Sequence, residues 1–143
     1  MKTLRFLGMA VVALLMTFVV ASCGSDDDNS GNGLAGTSWK ITKVDENSSE
    51  WHDDDVNSVF AFYADGTGLE TRSTLKTKNF KWSMDGSNVL TLRWINSKGE
   101  IRTSDACQGT FAITGNTAVW TGKIDFDTSA SGGKDFIIYF EKQ

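Results

Sequence analysis

Two kinds of side chain in this 143-residue chain could do chemistry: one histidine among carboxylates, and two cysteines. The only histidine, His52, lies in EWHDDDVN beside Asp53, Asp54 and Asp55. Imidazole and carboxylates together can hold a divalent ion, and several loop oxygens suit calcium. The alternating ligands and intervening glycine of a calcium loop are missing, and neighbouring aspartates of a strand would face opposite ways. His52, Asp53 and Asp55 are thus weak metal candidates; a solvated acidic loop is the plainer expectation, and no cofactor is expected. Nucleophilic catalysis fares no better. One histidine would have to serve any Ser-His-Asp scheme, and no G-x-S-x-G elbow is present. Cys107 and His52 would form a dyad only if the fold joined them. C-x-x-C, H-E-x-x-H, a P-loop and a dinucleotide fingerprint are all absent. Glu50, Asp125 and Asp127 are carboxylates of the sort any acidic chain supplies, so they carry little weight as a glycosidase pair. An enzyme is not expected.

Aromatic residues are the other candidates. The five tryptophans are Trp39, Trp51, Trp82, Trp94 and Trp120. Trp51 stands in the polar loop and is expected to be exposed, where its ring could meet a partner or stack on a sugar. The others fall on apolar faces of strand-like segments, so their use depends on the elements that carry them.

Those elements read as β almost throughout. Residues 37–45 alternate Trp39 and Ile41 with Lys40 and Thr42. Residues 58–64 hold VFAFY, and Asp65-Gly66 signals a tight hairpin returning through 67–75. Residues 78–84 put Phe80, Trp82 and Met84 on one face; Asp85-Gly86 turns the chain into 88–95, with Leu90, Leu92 and Trp94 inward. After the turn 96–99, the segments 100–105 and 109–114 read as one bent strand or two. Gly115-Asn116 makes another turn, and 117–126 and 135–142 complete the set. Helical periodicity is not sustained anywhere; residues 50–57 could form one turn. Eight or nine short strands joined by hairpins predict an all-β, up-and-down antiparallel barrel, with a β-sandwich as the alternative. In such a barrel Phe80, Trp82, Leu92, Trp94, Phe111 and Trp120 would line the interior. Eight strands enclose just enough room for side chains to fill, or for one small ligand.

The N-terminus carries a different message. Lys2 and Arg5 precede the apolar run FLGMAVVALLMTFVVAS, and Cys23 follows it directly. A basic start, a short apolar middle and small residues at a cut site make a secretory signal. Val20-Ala21-Ser22-Cys23 resembles the lipobox of bacterial lipoproteins. That resemblance implies removal of residues 1–22 and acylation of Cys23, which anchors the chain in a bilayer. The acidic run Asp26-Asp27-Asp28 resembles the surface-export tag of outer-membrane lipoproteins in gut-commensal Gram-negative bacteria. The implied place is the outer membrane, on the cell surface rather than the periplasmic face. Residues 23–33 then form a flexible acidic tether, and residues 34–143 the folded domain. Loss of Lys2 and Arg5 leaves twelve basic residues against eighteen acidic ones, a net charge of −6. Such a balance argues against a nucleic-acid partner, which would need clustered Lys and Arg. With Cys23 acylated, Cys107 has no disulfide partner within the chain, and a buried inert thiol is expected.

The start of the domain, LAGTSWKIT, is similar to the first strand of lipocalin-like (calycin-type) domains, and FAFYADGTG to a strand and turn of small lipocalin-like lipoproteins. The resemblance implies that Gly36 and Trp39 plug the closed end of an eight-stranded barrel. The pattern departs in two places: two residues separate Gly36 from Trp39, and no arginine follows Arg102. Three functions follow in order. The first is a membrane-anchored module that binds a small apolar ligand inside the barrel. The second is a filled-barrel interaction or accessory protein that uses its loops, Trp51 among them, to contact a protein or a surface glycan. The third is a hydrolase.

Overall fold

Alternation of apolar and polar residues dictates strands, because each second side chain of a pleated backbone points to the same face. The computed structural model describes residues 33–48, 50–102, 104, 106–125 and 132–143. The segment expected to be a signal, Cys23 and the expected tether up to residue 32 lie outside the described residues, as does Asp127. Eight strands form: β1 (Thr37–Val44), β2 (Val59–Phe62), β3 (Thr67–Thr71), β4 (Thr77–Met84), β5 (Val89–Trp94), β6 (Cys107–Thr114), β7 (Thr117–Ile124) and β8 (Lys134–Lys142). Each pairs antiparallel with its neighbour in sequence, and β8 returns to pair with β1, so the meander closes into a barrel. Closure leaves no unpaired edge and excludes the sandwich.

Two expected strands are shorter than their sequences suggested. Residues 100–105 contribute only an isolated bridge between Ile95 and Ile101, so the ninth strand is absent among the described residues. β3 stops at Thr71 because the chain turns at once: the Leu75 N–H donates to the Arg72 carbonyl, and Leu75 takes a positive φ of 61°. The predicted helical turn in 50–57 is a single 3-10 turn, Asp53–Asp55.

Aspartate and asparagine side chains shape the turns. Asp65 Oδ1 accepts from the Thr67 N–H and hydroxyl, Asp85 Oδ1 from the N–H groups of Ser87 and Val89, and Asn96 Oδ1 from those of Lys98 and Glu100. These bonds imitate a backbone turn and favour the hairpin geometry locally. They also hold the Asp65 carboxyl below its ordinary range. Short turns join β2–β3, β4–β5 and β6–β7 at one end of the barrel. The connections β1–β2, β3–β4, β5–β6 and β7–β8 gather at the other, longer-looped end.

Aromatic rings fill the interior. Phe60 touches Phe62, Phe80, Trp94 and Phe140, with ring centroids 5.8–6.5 Å apart. Phe111 meets Trp39, Phe62, Trp120 and Phe140. Four of these eight pairs are edge-to-face, an arrangement that stabilises beyond the area it buries. Three indoles also find acceptors: Trp39 Nε1 donates to Thr37 Oγ1 (2.8 Å), Trp82 Nε1 to the Thr67 carbonyl (2.9 Å) and Trp120 Nε1 to the Gly109 carbonyl (3.2 Å). Gly109 and Gly122 face each other across β6 and β7. A Cβ on Gly109 would lie 2.2 Å from the Thr121 carbonyl oxygen, so only glycine lets these backbones approach so closely.

Candidate functional site at the long-loop end

The connection from β1 to β2, residues 45–58, is tied down on both sides. Ser48 Oγ donates to the Ile137 carbonyl and accepts from the Ile137 N–H, which fastens the loop to β8. Further along, the Asn57 N–H donates to the Ile41 carbonyl, fastening it to β1. Between these ties the 3-10 turn is closed by Asp55, whose Oδ2 accepts from the His52 N–H at 3.1 Å.

Trp51 lies between the two ties and points inward. Its ring centroid is 6.0 Å from Phe60 and 6.4 Å from Phe136, and only 5 % of the residue is exposed. The expectation of an exposed tryptophan is therefore corrected. The indole offers more apolar area than any neighbour in the loop, and burying it on two phenyl rings outweighs the polarity of the residues beside it. The indole Nε1 is buried with no hydrogen-bond partner among the described residues.

Glu70 was not legible as a functional residue. It sits inward on β3, opposite Phe60 on β2 and Lys78 on β4, and is fully buried. Arg72 Nε donates to Glu70 Oε1 at 3.0 Å, and Arg72 Nη1 stands 3.4 Å from Asp55 Oδ1. Glu70 Oε2 has no hydrogen-bond partner among the described residues. Burial pushes the Glu70 carboxyl above its ordinary range, although Arg72 and Lys78 pull it down. Counting outward from a two-residue Asp65-Gly66 turn would have paired Phe62 with Leu69; the turn takes in one residue more, and the register pairs Phe62 with Gly68 and Phe60 with Glu70.

Trp51, Asp55, Arg72, Lys78 and Trp94, with Glu50 and Ile124, surround a recess of about 190 Å³ at the barrel mouth. The Lys78 ammonium lies 5.3 Å from the centroid of Trp94. Lys134 pairs with Glu50. On the far side of Trp51 a second recess, about 370 Å³, is bounded by Val44, Ser48 and the 52–54 segment. Trp51 is the residue common to both walls. Leu75 (84 % exposed) and Ile101 (46 %) stand in loops of the same end.

The other sequence-predicted residues fall as follows. His52 and Asp53 are exposed, whereas Asp55 is buried and engaged by Arg72 and the His52 N–H. Among the described residues no three His, Cys, Asp or Glu side chains converge to hold a metal. Phe80, Trp82, Leu92, Trp94, Phe111 and Trp120 are all interior, between 0 and 4 % exposed, and the five aromatic ones pack against other rings. Gly36 takes a positive φ of 75° just before β1 and donates its N–H to the Phe62 carbonyl; Trp39 is buried against Phe111. Cys107 is fully buried. Comparison with known protein families, curated proteins and solved structures finds no match to this chain.

Proposed function

We propose that this protein is a lipid-anchored lipoprotein whose lipocalin-like barrel is a filled scaffold, and that it is an interaction module. Its long-loop end contacts a partner protein or a surface glycan. One observation carries the reading: the interior positions that would line a ligand cavity are occupied by rings in contact with one another. An apolar ligand inside the barrel would have to displace such rings, each worth about 3–5 kcal/mol by the cost of truncation in a core. The loop end, by contrast, carries exposed Leu75 and Ile101 in its connections, at the same end as a polar recess.

Anchoring rests on Cys23 after the apolar run and on the acidic residues behind it. Ten residues, 24–33, reach roughly 30–35 Å when extended, which holds the barrel close to the membrane. The reading places the protein in the outer membrane, facing outward. Labelling cells with a fatty-acid analogue tests the anchor: Cys23→Ala should lose the label. Protease shaving of intact cells tests the face. The contact end is tested by photo-crosslinking residues placed at Leu75 and Ile101, with Ile113 beside the β6–β7 turn as control. One defined partner captured from the first two positions and not from the third is expected; equal capture from all three, or none, rejects the reading.

A further inference from the structure

An open groove of about 440 Å³ crosses the outside of the barrel over β3 and β4. Phe62, Phe80 and Trp94 are buried in the interior, so pleat alternation turns their neighbours Tyr63, Asn79 and Ile95 outward. The ladder continues one residue beyond β2 and β5: the Tyr63 N–H donates to the Thr67 carbonyl at 2.8 Å, and the Ile95 N–H to the Asn79 carbonyl at 2.9 Å. Tyr63 walls the groove on the β2 side. The turn after β5 walls the other side and is itself braced. Ile95 bridges to Ile101, the Asn96 N–H donates to the Glu100 carbonyl at 2.8 Å, and the Gly99 N–H to the Asn96 carbonyl at 3.0 Å. A wall already fixed this way costs little further ordering when a ligand settles against it.

The lining differs in kind from that of the two recesses at the barrel mouth. Carboxylates bound both of those, and Arg72 and Lys78 line the first. Among the described residues, none that lines the outer groove is Asp, Glu, Lys, Arg or His. An ion would shed water there without meeting an opposite charge, so the fitting occupant is neutral. The polar groups are an amide and hydroxyls. Asn79 and Ser97 are exposed, and each side chain can both donate and accept. The Thr67 hydroxyl donates to Asp65 Oδ1 at 2.6 Å, and its oxygen still has lone pairs with which to accept. A ligand matching this set donates and accepts at several points, as hydroxyls do. Tyr63, 46 % exposed, adds a rigid aromatic face. A hydrocarbon would leave the amide and hydroxyls without partners. A sugar ring, apolar on its face and hydroxylated at its edge, satisfies both requirements. The volume falls within the range of about 300–1,000 Å³ usual for small-molecule sites.

We infer that the outer groove between Tyr63 and the 95–101 turn binds a neutral saccharide, one sugar ring stacking on Tyr63 and its hydroxyls bonding Asn79 and Ser97. The 95–101 turn belongs to the long-loop end. The inference therefore rests on the interaction-module reading and specifies its glycan branch. A free sugar and the end of a polysaccharide share this chemistry.

The barrel closes wholly within residues 37–142, so residues 24–143 can be studied in solution. The test is a ¹⁵N–¹H titration with the methyl glycosides of glucose, galactose, mannose and N-acetylglucosamine, each into the millimolar range. The Asn79 side-chain amide and the backbone amides of Gly68 and Ser97 should move saturably with at least one of them. The Ile113 amide, beside the β6–β7 turn, should stay. Tyr63→Ala removes the stacking ring, so affinity should fall about tenfold. Asn79→Ala removes one hydrogen-bonding group, for a fall of about threefold or more. Ile113→Ala should leave the affinity unchanged. Tyr63 and Asn79 are both exposed, so neither substitution opens the core. Fold is checked by shift dispersion, and if one variant does not fold the other still decides. No saturable shift at the groove with any glycoside, or an affinity that neither substitution lowers, overturns the inference. So does a photo-crosslinker at Tyr63 that captures a protein while every sugar fails. Tighter binding of an oligosaccharide of the preferred sugar assigns the groove to a polymer, and equal binding to the free sugar; both uphold it. If the sugars fail while positions 75 and 101 still capture a protein, only the sugar assignment falls; if both fail, the module reading falls with it.

Discussion

Replacing Arg72 by methionine tests whether the polar layer at the barrel mouth is held as its geometry indicates. Methionine keeps much of the apolar stem and removes the guanidinium, which reaches Glu70 Oε1 at 3.0 Å and Asp55 Oδ1 at 3.4 Å. Taking one partner from a fully buried ion pair costs about 3–5 kcal/mol, because the other charge stays buried and uncompensated. Here Glu70 is fully buried, but a third of the Arg72 side chain meets water. The expected loss is accordingly about 2–3 kcal/mol at neutral pH, after allowing for solvent screening. For a domain of this size that is a fall in Tm of roughly 10–15 °C. Urea unfolding followed by tryptophan fluorescence measures it. The loss should depend on pH. Burial raises the Glu70 carboxyl in the folded state, so folding favours its protonated form. That contribution is fully present below the ordinary carboxylate pKa and is lost as pH rises through the raised folded value. Arg72 is the strongest influence lowering that value, so removing it raises the value further and enlarges the penalty at neutral pH. In acid, where Glu70 is protonated with or without Arg72, most of the penalty vanishes. The loss near pH 7 should be at least twice that near pH 4, on the order of a kcal/mol apart. In a Glu70→Gln background it should shrink to about 1 kcal/mol or less. Equal losses at both pH values, or an undiminished loss beside Glu70→Gln, would refute the reasoning.

Other consequences are simpler to check. Gly109→Ala and Gly122→Ala place a Cβ 2.2 and 2.1 Å from backbone oxygens of the facing strand, so each should cost about 3 kcal/mol or more in a thermal melt. Gly86→Ala, with no heavy atom within 4 Å of its Cβ, should fall within about 0.5 kcal/mol of the parent. Trp51→Ala removes the indole from Phe60 and Phe136 and should cost about 2–4 kcal/mol, less than a fully enclosed tryptophan because recesses flank it. Trp51→Phe should lose about 1 kcal/mol or less, since a ring remains and the N–H that goes has no hydrogen-bond partner among the described residues. Cys107, fully buried, should react with a thiol reagent only at the rate of unfolding; prompt labelling of the native protein would contradict its placement.

Much of the barrel was legible because the signals that write it are local. Trp39 and Ile41, or Phe80, Trp82 and Met84, mark their strands by alternation alone, and the side chains of Asp65, Asp85 and Asn96 form their turns within four residues of themselves. Where local signals compete, the sequence alone does not decide the outcome. The segment 100–105 contains apolar Ile101, yet only one bridge forms there. On β3, hydropathy favours Leu69 for the inside, but the hairpin register turns Gly68 and Glu70 inward. Glycine at 68 is needed there, since a Cβ would strike the Phe80 ring at 2.2 Å.

Trp51 shows the limit from the other direction. Glu50, His52 and Asp53 around it describe a wet loop, and only the ties from Ser48 to Ile137 and from Asn57 to Ile41 bring its indole over the barrel. The sequence by itself determined the strands, most of the turns and the meander, because pleat and turn chemistry act over a few residues. Tertiary structure alone decided that the meander closes, that its interior fills with rings, and that Trp51, Asp55, Glu70 with Arg72, and Lys78 meet at one mouth. Filling a volume and pairing buried charges are long-range requirements, met between segments that carry no mark of one another until the barrel shuts.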